Sequence, residues 1–366
     1  MIPISKPYIG NLEKKILSQE IKEGWISSRG KRIKEFEDKL SKFLRVKYTV
    51  SCSNGSAALI LALKALGIKK NDEVIVPDIS FGATINSVIN TGAIPVISEI
   101  DLDTWGLDVN KIENKINKKT KAIIAVHLYG QPCDMKRLLY IKKKYNLFLI
   151  EDTAESFGST YNKKYTGTIG DVGCFSFFAN KTISTGEGGC CVTNKKKIAD
   201  KLRLFKNHGM TDKKRYYHYL VGYNFRMTNL QAAIGLQQLK NFKKFRKKRI
   251  FIENFYNKLF KNEKGFKKQT ETKLTKRICW LYTALFLKTN LKKVRQFLAK
   301  YKIDSRRIFY PYHTMSIYKK YVPKDFNKKN SIKLFNHGLS LPTYYEIKTK
   351  ELKTVSKRLK EYLRLK

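Results

Sequence analysis

YTVSCSNGSAALILALKALGIKKNDEVIVPD, from Tyr48 to Asp78, contains one complete unit of the fold. YTVSCS and EVIVPD are short apolar, β-branched runs of strand type, and SAALILALKALGI between them has the composition and length of a helix. Two strands joined by a helical crossover make a βαβ unit, whose strands lie parallel in one sheet. In such sheets ligands gather at the carboxyl ends of the strands. Asn54, Gly55 and Ser56 stand there, between the first strand and the helix it leads into. The N–H groups and dipole of a helix start favour a phosphate, although the motif alone is only a capped helix.

The same alternation extends outward. FGATINSVINTGA, IPVISEID, the polar DVNKIENKIN, AIIAVHLYG, the helical MKRLLYIKKKYN and LFLIED follow in turn, which predicts an α/β fold around a mostly parallel sheet. After GYNFRMTNLQAAIGLQQL the chain becomes more basic and its helices longer. The expected division is a large domain over 1–238 and a smaller one over 239–366, with WLYTALFL and the segment around Ser340 to Pro342 among the strands of the second.

With 366 residues, 42% of them hydrophobic and including 21 Phe and 21 Tyr, the chain can fill a large core. No apolar run reaches the roughly 20 residues that span a bilayer, and MIPISKPYIGNLEKK lacks the apolar centre of a secretion signal, so the expected compartment is the cytoplasm. Cys52, Cys133, Cys174, Cys190, Cys191 and Cys279 form no CxxC pair and have no metal-ligand spacing with His; they read as buried free thiols. The formal charge of +45 suggests nucleic acid as a partner, but its location argues otherwise. Residues 51–100 carry three basic and four acidic side chains and residues 151–200 six of each, whereas residues 241–300 carry nineteen against three. The excess is a lysine-studded periphery without finger, repeat or aromatic RNA-binding motif, and it favours anionic small substrates instead.

FSFFANKTISTGEGGCC, Phe175 to Cys191, places Lys181 between an apolar strand-like run and a glycine-rich loop. Such a lysine either snorkels to water or is partly desolvated, and in the second case its neutral amine can attack a carbonyl as a Schiff-base nucleophile. Pyridoxal phosphate (PLP) chemistry would need a carboxylate for the pyridine nitrogen, a phosphate cradle and a stacking ring. Asp152, at the end of LFLIED, can supply the carboxylate. Gly55, Ser56 and the hydroxyl of Ser176 can supply the cradle, and Phe81 the ring. Each has an ordinary alternative: helix cap for Asp152, strand residue for Ser176, core packing for Phe81.

NGSAAL, PDISF, HLYGQPCDM, LIEDTAESFGS, GDVGCFSFFANKTISTGEGG, GYNFRMTNLQAAIG, IFYPYH and GLSLP, in this order, resemble the DegT/DnrJ/EryC1/StrS sugar aminotransferases over nearly the whole chain. FFANKTISTGEGG and the acid at 155 are most similar to the perosamine-type members, which aminate C4 of GDP-4-keto-6-deoxymannose. The resemblance implies PLP-dependent transferase fold type I, like aspartate aminotransferase, with a seven-stranded sheet and a small C-terminal α/β domain. It implies Lys181 as the Schiff-base lysine, Asp152 as pyridinium partner, Ser56 and Ser176 as phosphate ligands, Phe81 on the ring, and Glu155 beside the cofactor's O3′ where many relatives have Gln. It further implies a homodimer with shared sites, in which Asn224, together with Arg226, reaches the neighbouring subunit's phosphate. His313 becomes a sugar contact, glutamate the amino donor, and a nucleotide-diphosphate sugar the acceptor, in surface polysaccharide synthesis. UDP- and dTDP-linked 4-keto or 3-keto sugars are alternative acceptors. A cysteine desulfurase of the same fold needs a mobile late cysteine, and the last one here, Cys279, lies in a strand-like run. A dehydratase variant has histidine in place of the lysine. A basic nucleic-acid-binding or regulatory protein on this scaffold would be expected to lose parts of the constellation, and none is missing.

Overall fold

The computed structural model describes residues 1–287 and 289–364. The βαβ unit forms as the sequence predicts. Strand β1 (Tyr48–Cys52) leads into the helix Gly55–Ala65, and β2 (Glu73–Pro77) follows. Then come β3 (Ile94–Ser98), β4 (Thr120–Val126), β5 (Phe148–Asp152), a small hairpin of β6 (Thr160–Tyr161) and β7 (Lys164–Tyr165), β8 (Val172–Ser176) and β9 (Gly189–Thr193). The central sheet has seven strands in the order β1-β9-β8-β5-β4-β2-β3. β9 pairs antiparallel with both β8 and β1, and the other pairings are parallel, so β9 alone opposes the rest.

That arrangement brings the carboxyl ends of β1, β2, β4, β5 and β8 to one edge of the sheet. The Gly55–Ala65 helix is apolar on nearly every side because it is covered on nearly every side. It lies against β8 and β9 and against the helices Gly82–Asn90 and Lys196–Lys206. Leu59, Leu61 and Leu63 are buried there, each contributing about 1.5–3 kcal/mol by burial. The phosphate-type helix start is thus held by a rigid body. All six cysteines are free and buried.

The C-terminal part is built on a second, antiparallel sheet. After β10 (Phe266–Lys267) comes β11 (Thr275–Lys276), which joins the β6–β7 hairpin; β12 (Tyr282–Phe286), β13 (Arg306–Arg307) and β14 (Gly338–Leu341) complete the four-stranded order β10-β12-β14-β13. Helices Leu291–Lys300 and Thr349–Arg364 cover it with Val294, Leu298, Leu352, Val355 and Leu359.

The two parts share one long helix, Asn229–Phe260, started by a reciprocal cap between Thr228 and Gln231. Its first half packs on helices Asn11–Lys22 and Lys31–Leu44; Ile252, Tyr256 and Phe260 enter the C-terminal core. The expected division at residue 238 falls inside this helix. No described helix is long and apolar enough to cross a membrane.

Candidate active site

Strand β5 ends on two carboxylates, and alternation sends them to opposite faces. Glu151 is fully buried and accepts from the backbone N–H groups of Gly167 (2.8 Å), Ile169 (2.7 Å) and Gly170 (2.6 Å), with the His127 Nε2 at 3.0 Å. His127 Nδ1 accepts from Cys133 N–H at 3.1 Å, so Nε2 carries the proton and donates to Glu151. This carboxylate is saturated and holds a loop. Asp152, 6% exposed, accepts only the Thr84 hydroxyl at 2.8 Å and the Ala154 N–H at 3.2 Å. Burial pushes its carboxyl up, with Thr84, Ala154, Lys181 and His127 pulling it down. Among the described residues it has no ion-pair partner, and a buried carboxylate in that condition favours an incoming cation.

Lys181 follows β8 in a tight turn in which its N–H donates to the Phe178 carbonyl at 2.9 Å. The residue is half-buried, and its Nζ lies 3.8 Å from the centroid of the Trp280 ring. Burial lowers its pKa, Glu155 and Asp152 raise it, and the Arg249 guanidinium lowers it again. Glu155 is buried too. One of its oxygens accepts the Tyr129 N–H at 2.8 Å, and burial pushes its carboxyl up to about 7, against the pull of Lys181. One half-buried cation and two buried acids therefore act on one another electrostatically here.

The helix start lies at the same sheet edge. Asn54 caps it, accepting from Ala57 N–H at 2.8 Å, while the first two helical residues, Gly55 and Ser56, have N–H groups with no carbonyl inside the helix to bond. A Cβ at Gly55 would come 2.8 Å from the Ser176 Cβ. Glycine here is a packing requirement that lets the end of β8 approach the helix, placing the Ser176 hydroxyl beside the free N–H groups.

Phe81 is 62% exposed at the N-cap of helix Gly82–Asn90, so the core-packing alternative is excluded. The Tyr312 hydroxyl donates to its carbonyl at 2.8 Å, which fixes the backbone and leaves the ring open. His313 adjoins it, with Nδ1 2.7 Å from the fully buried Asp78 and its backbone N–H on the same carboxylate at 3.0 Å. Asn224 and Arg226 lie apart from this group. The Arg226 Nε donates to the Asn224 Oδ1 at 2.9 Å, and none of their hydrogen bonds reaches Lys181, Asp152 or Glu155. Their segment nevertheless abuts the cradle, because Ser53 N–H donates to the Phe225 carbonyl at 2.9 Å.

Thr84, Trp280 and Arg249 join the site without a sequence motif of their own, and Tyr129 joins it from within HLYGQPCDM. Thr84 had a usable signal as the residue one helical turn beyond Phe81, and Tyr129 as part of that block. Tyr129 sits at φ 51°, a left-handed conformation for a bulky residue, stacked between Trp280 and Phe309 at 5.9 Å from each.

An open aromatic face, a cradle closed to any Cβ at Gly55, a buried acid without an ion-pair partner among the described residues and a desolvated lysine fit PLP feature by feature. Comparison with known proteins agrees. The chain is 42% identical to a GDP-perosamine synthase of Vibrio cholerae, with 99% of each chain covered, and 40% identical to one of Escherichia coli O157:H7, with 99% of this chain and 98% of that one covered. Among solved structures, Helicobacter pylori PseC, an aminotransferase involved in pseudoaminic acid biosynthesis, superposes with a TM-score of 0.93 at 27% identity, and both chains are covered completely. The family profile of the DegT/DnrJ/EryC1/StrS aminotransferases matches residues 7–360; the chain belongs to this family of PLP-dependent sugar aminotransferases.

Proposed function

We propose that the protein transfers an amino group from glutamate to C4 of a nucleotide-linked 4-keto-6-deoxy sugar, GDP-4-keto-6-deoxymannose first among them, for surface polysaccharide synthesis. The observation that carries the choice of sugar is the 40–42% identity to GDP-perosamine synthases across almost the entire chain.

Bound PLP would supply an electron sink through its protonated pyridine ring. Asp152 would keep that nitrogen protonated, oriented by the Thr84 hydroxyl. Gly55, Ser56 and Ser176 would hold the phosphate, and Phe81 would cover the ring. Lys181 would form the Schiff base, and its Nζ, once free, would carry the proton to and from the reacting carbon. Its lowered pKa supports that role, since a lysine at its ordinary value would hold its proton too tightly at neutral pH. Glu155 would stand beside O3′ and keep a proton there near neutrality, which its raised pKa supports. His313 would meet the sugar, held in one orientation by Asp78.

The active unit in this reading is a homodimer in which Asn224, with Arg226, serves the neighbouring subunit's phosphate. Both lie outside the cluster formed around Lys181 in their own chain, and Asn224 is exposed. The substrate test is kcat/KM for the GDP-, UDP- and dTDP-linked 4-keto sugars at fixed salt, with the product mass confirming amine for ketone. A tenfold preference for UDP or dTDP, only about 1.4 kcal/mol, would replace the sugar assignment and leave amino transfer standing. Borohydride reduction followed by peptide mapping tests the lysine; label on any other residue overturns Lys181.

A further inference from the structure

The aromatic wall behind Lys181 is more organised than core packing requires. Trp280, buried just before β12, presents its ring face to the Lys181 Nζ at 3.8 Å, well inside cation–π range. The ring is fixed from three directions. Its Nε1–H donates to the carbonyl of Asn180, the residue before Lys181, at 2.9 Å. Tyr129 stacks on it with the planes 16° apart. Arg249, buried on the long helix, donates to the carbonyl of Trp280 and, at 3.5 Å, to that of Lys181, so one guanidinium ties the two backbones together. The position of the ring relative to the Lys181 backbone is therefore set by contacts that do not involve the amine.

We propose that Trp280 is a positioning residue for the lysine: its ring face is the resting place of the Lys181 ammonium whenever that amine is not covalently engaged. This rests on Lys181 being the Schiff-base residue. In that role the lysine is released once in every cycle, is an ammonium for as long as it holds the transferred proton, and must stay close by throughout. The charged groups facing it are Glu155 and Asp152, which favour the ammonium, and Arg249, which disfavours it. Burial disfavours it most. The ring adds an attraction for the charged form that the neutral amine does not feel.

The test uses full-length protein stripped of cofactor, with added PLP as the probe. Schiff-base formation, read as absorbance, requires the neutral amine, so the pH dependence of its rate reports the Lys181 pKa. The cofactor's own titrations are common to all proteins compared. Trp280→Leu should lower the midpoint by about one pH unit, a tenfold gain in neutral amine at a given pH, and Trp280→Phe by less. If Trp280→Leu does not fold, biosynthetic replacement of tryptophan by fluorinated tryptophan decides. Fluorine weakens the ring's negative face with little change of shape, so the midpoint should fall with each added fluorine. Midpoints that stay within 0.2 unit (an order-of-magnitude threshold, about 0.3 kcal/mol) across the folded proteins would overturn the proposal. Loss of the absorbance in Trp280 variants cannot be confused with failure of the lysine assignment, because that assignment predicts no Schiff base in Lys181→Ala and the Trp280 proposal predicts one in every Trp280 variant.

Discussion

Replacing Glu155 by Gln should change how the cofactor-free protein responds to pH, by an amount the site itself sets. Glu155 is buried, accepts one backbone N–H from Tyr129, and titrates near 7 instead of 4.5, chiefly because burial disfavours its charge. Its folded pKa exceeds its unfolded one, so the proton it retains stabilises the fold fully below about pH 4.5. That stabilisation is lost as pH rises through about 7. At about 1.4 kcal/mol per unit, the interval corresponds to roughly 3 kcal/mol, an upper figure because the nearby Lys181 shares in the titration. Gln carries no such charge. Urea unfolding of both proteins from pH 4 to 8 should therefore show the wild type losing stability relative to Glu155→Gln across this interval. Titrations that do not couple to Glu155 cancel in the difference. Parallel curves from pH 4.5 to 8 would mean that Glu155 ionises as an ordinary surface acid, and the proton assigned to it beside O3′ would have no basis.

Thr84→Val should keep the fold but lower kcat/KM by roughly ten- to a hundredfold, because the deleted hydroxyl is one of two donors holding the Asp152 charge and such bonds contribute about 1.5–3 kcal/mol; unchanged kinetics would remove Thr84 from the site. Gly55→Ala should weaken PLP binding, read as the dissociation constant from absorbance, since its Cβ would meet the Ser176 Cβ at 2.8 Å. Unchanged affinity would remove Gly55 from the cradle. Asp152→Asn should retain the cofactor and lose most turnover, and activity within about threefold of wild type (~0.7 kcal/mol) would contradict the pyridinium role. Mixing Lys181→Ala with Asn224→Ala should restore some activity after subunit exchange, because one site in each mixed dimer then has neither defect. No recovery in verified mixed dimers would count against a shared site.

The sheet was legible because its signal is local: a buried parallel strand must be apolar along its length, and the crossover helix must be apolar wherever the sheet and its neighbours cover it. EVIVP and GSAALILALKA satisfy this without reference to the rest of the chain. The contact between Tyr129 and Trp280 was not legible, since the two aromatics are 151 positions apart and meet only through tertiary packing. The clearest case is the pair at the end of β5. In LFLIED, Glu151 and Asp152 are adjacent acids on one strand, and nothing in their composition assigns them different work. The period of two sends one to each face, and the faces then decide. On one side three backbone N–H groups and His127 satisfy Glu151 completely, which makes it a strut for the loop at 167–170. On the other side Asp152 has two donors, no ion-pair partner among the described residues and a raised pKa, so its environment is incomplete until a positive group arrives. A saturated carboxylate has nothing further to offer a ligand. The unsaturated one can therefore act on a bound pyridine ring, and its incompleteness is a property of the folded chain that no motif at positions 151 and 152 could express.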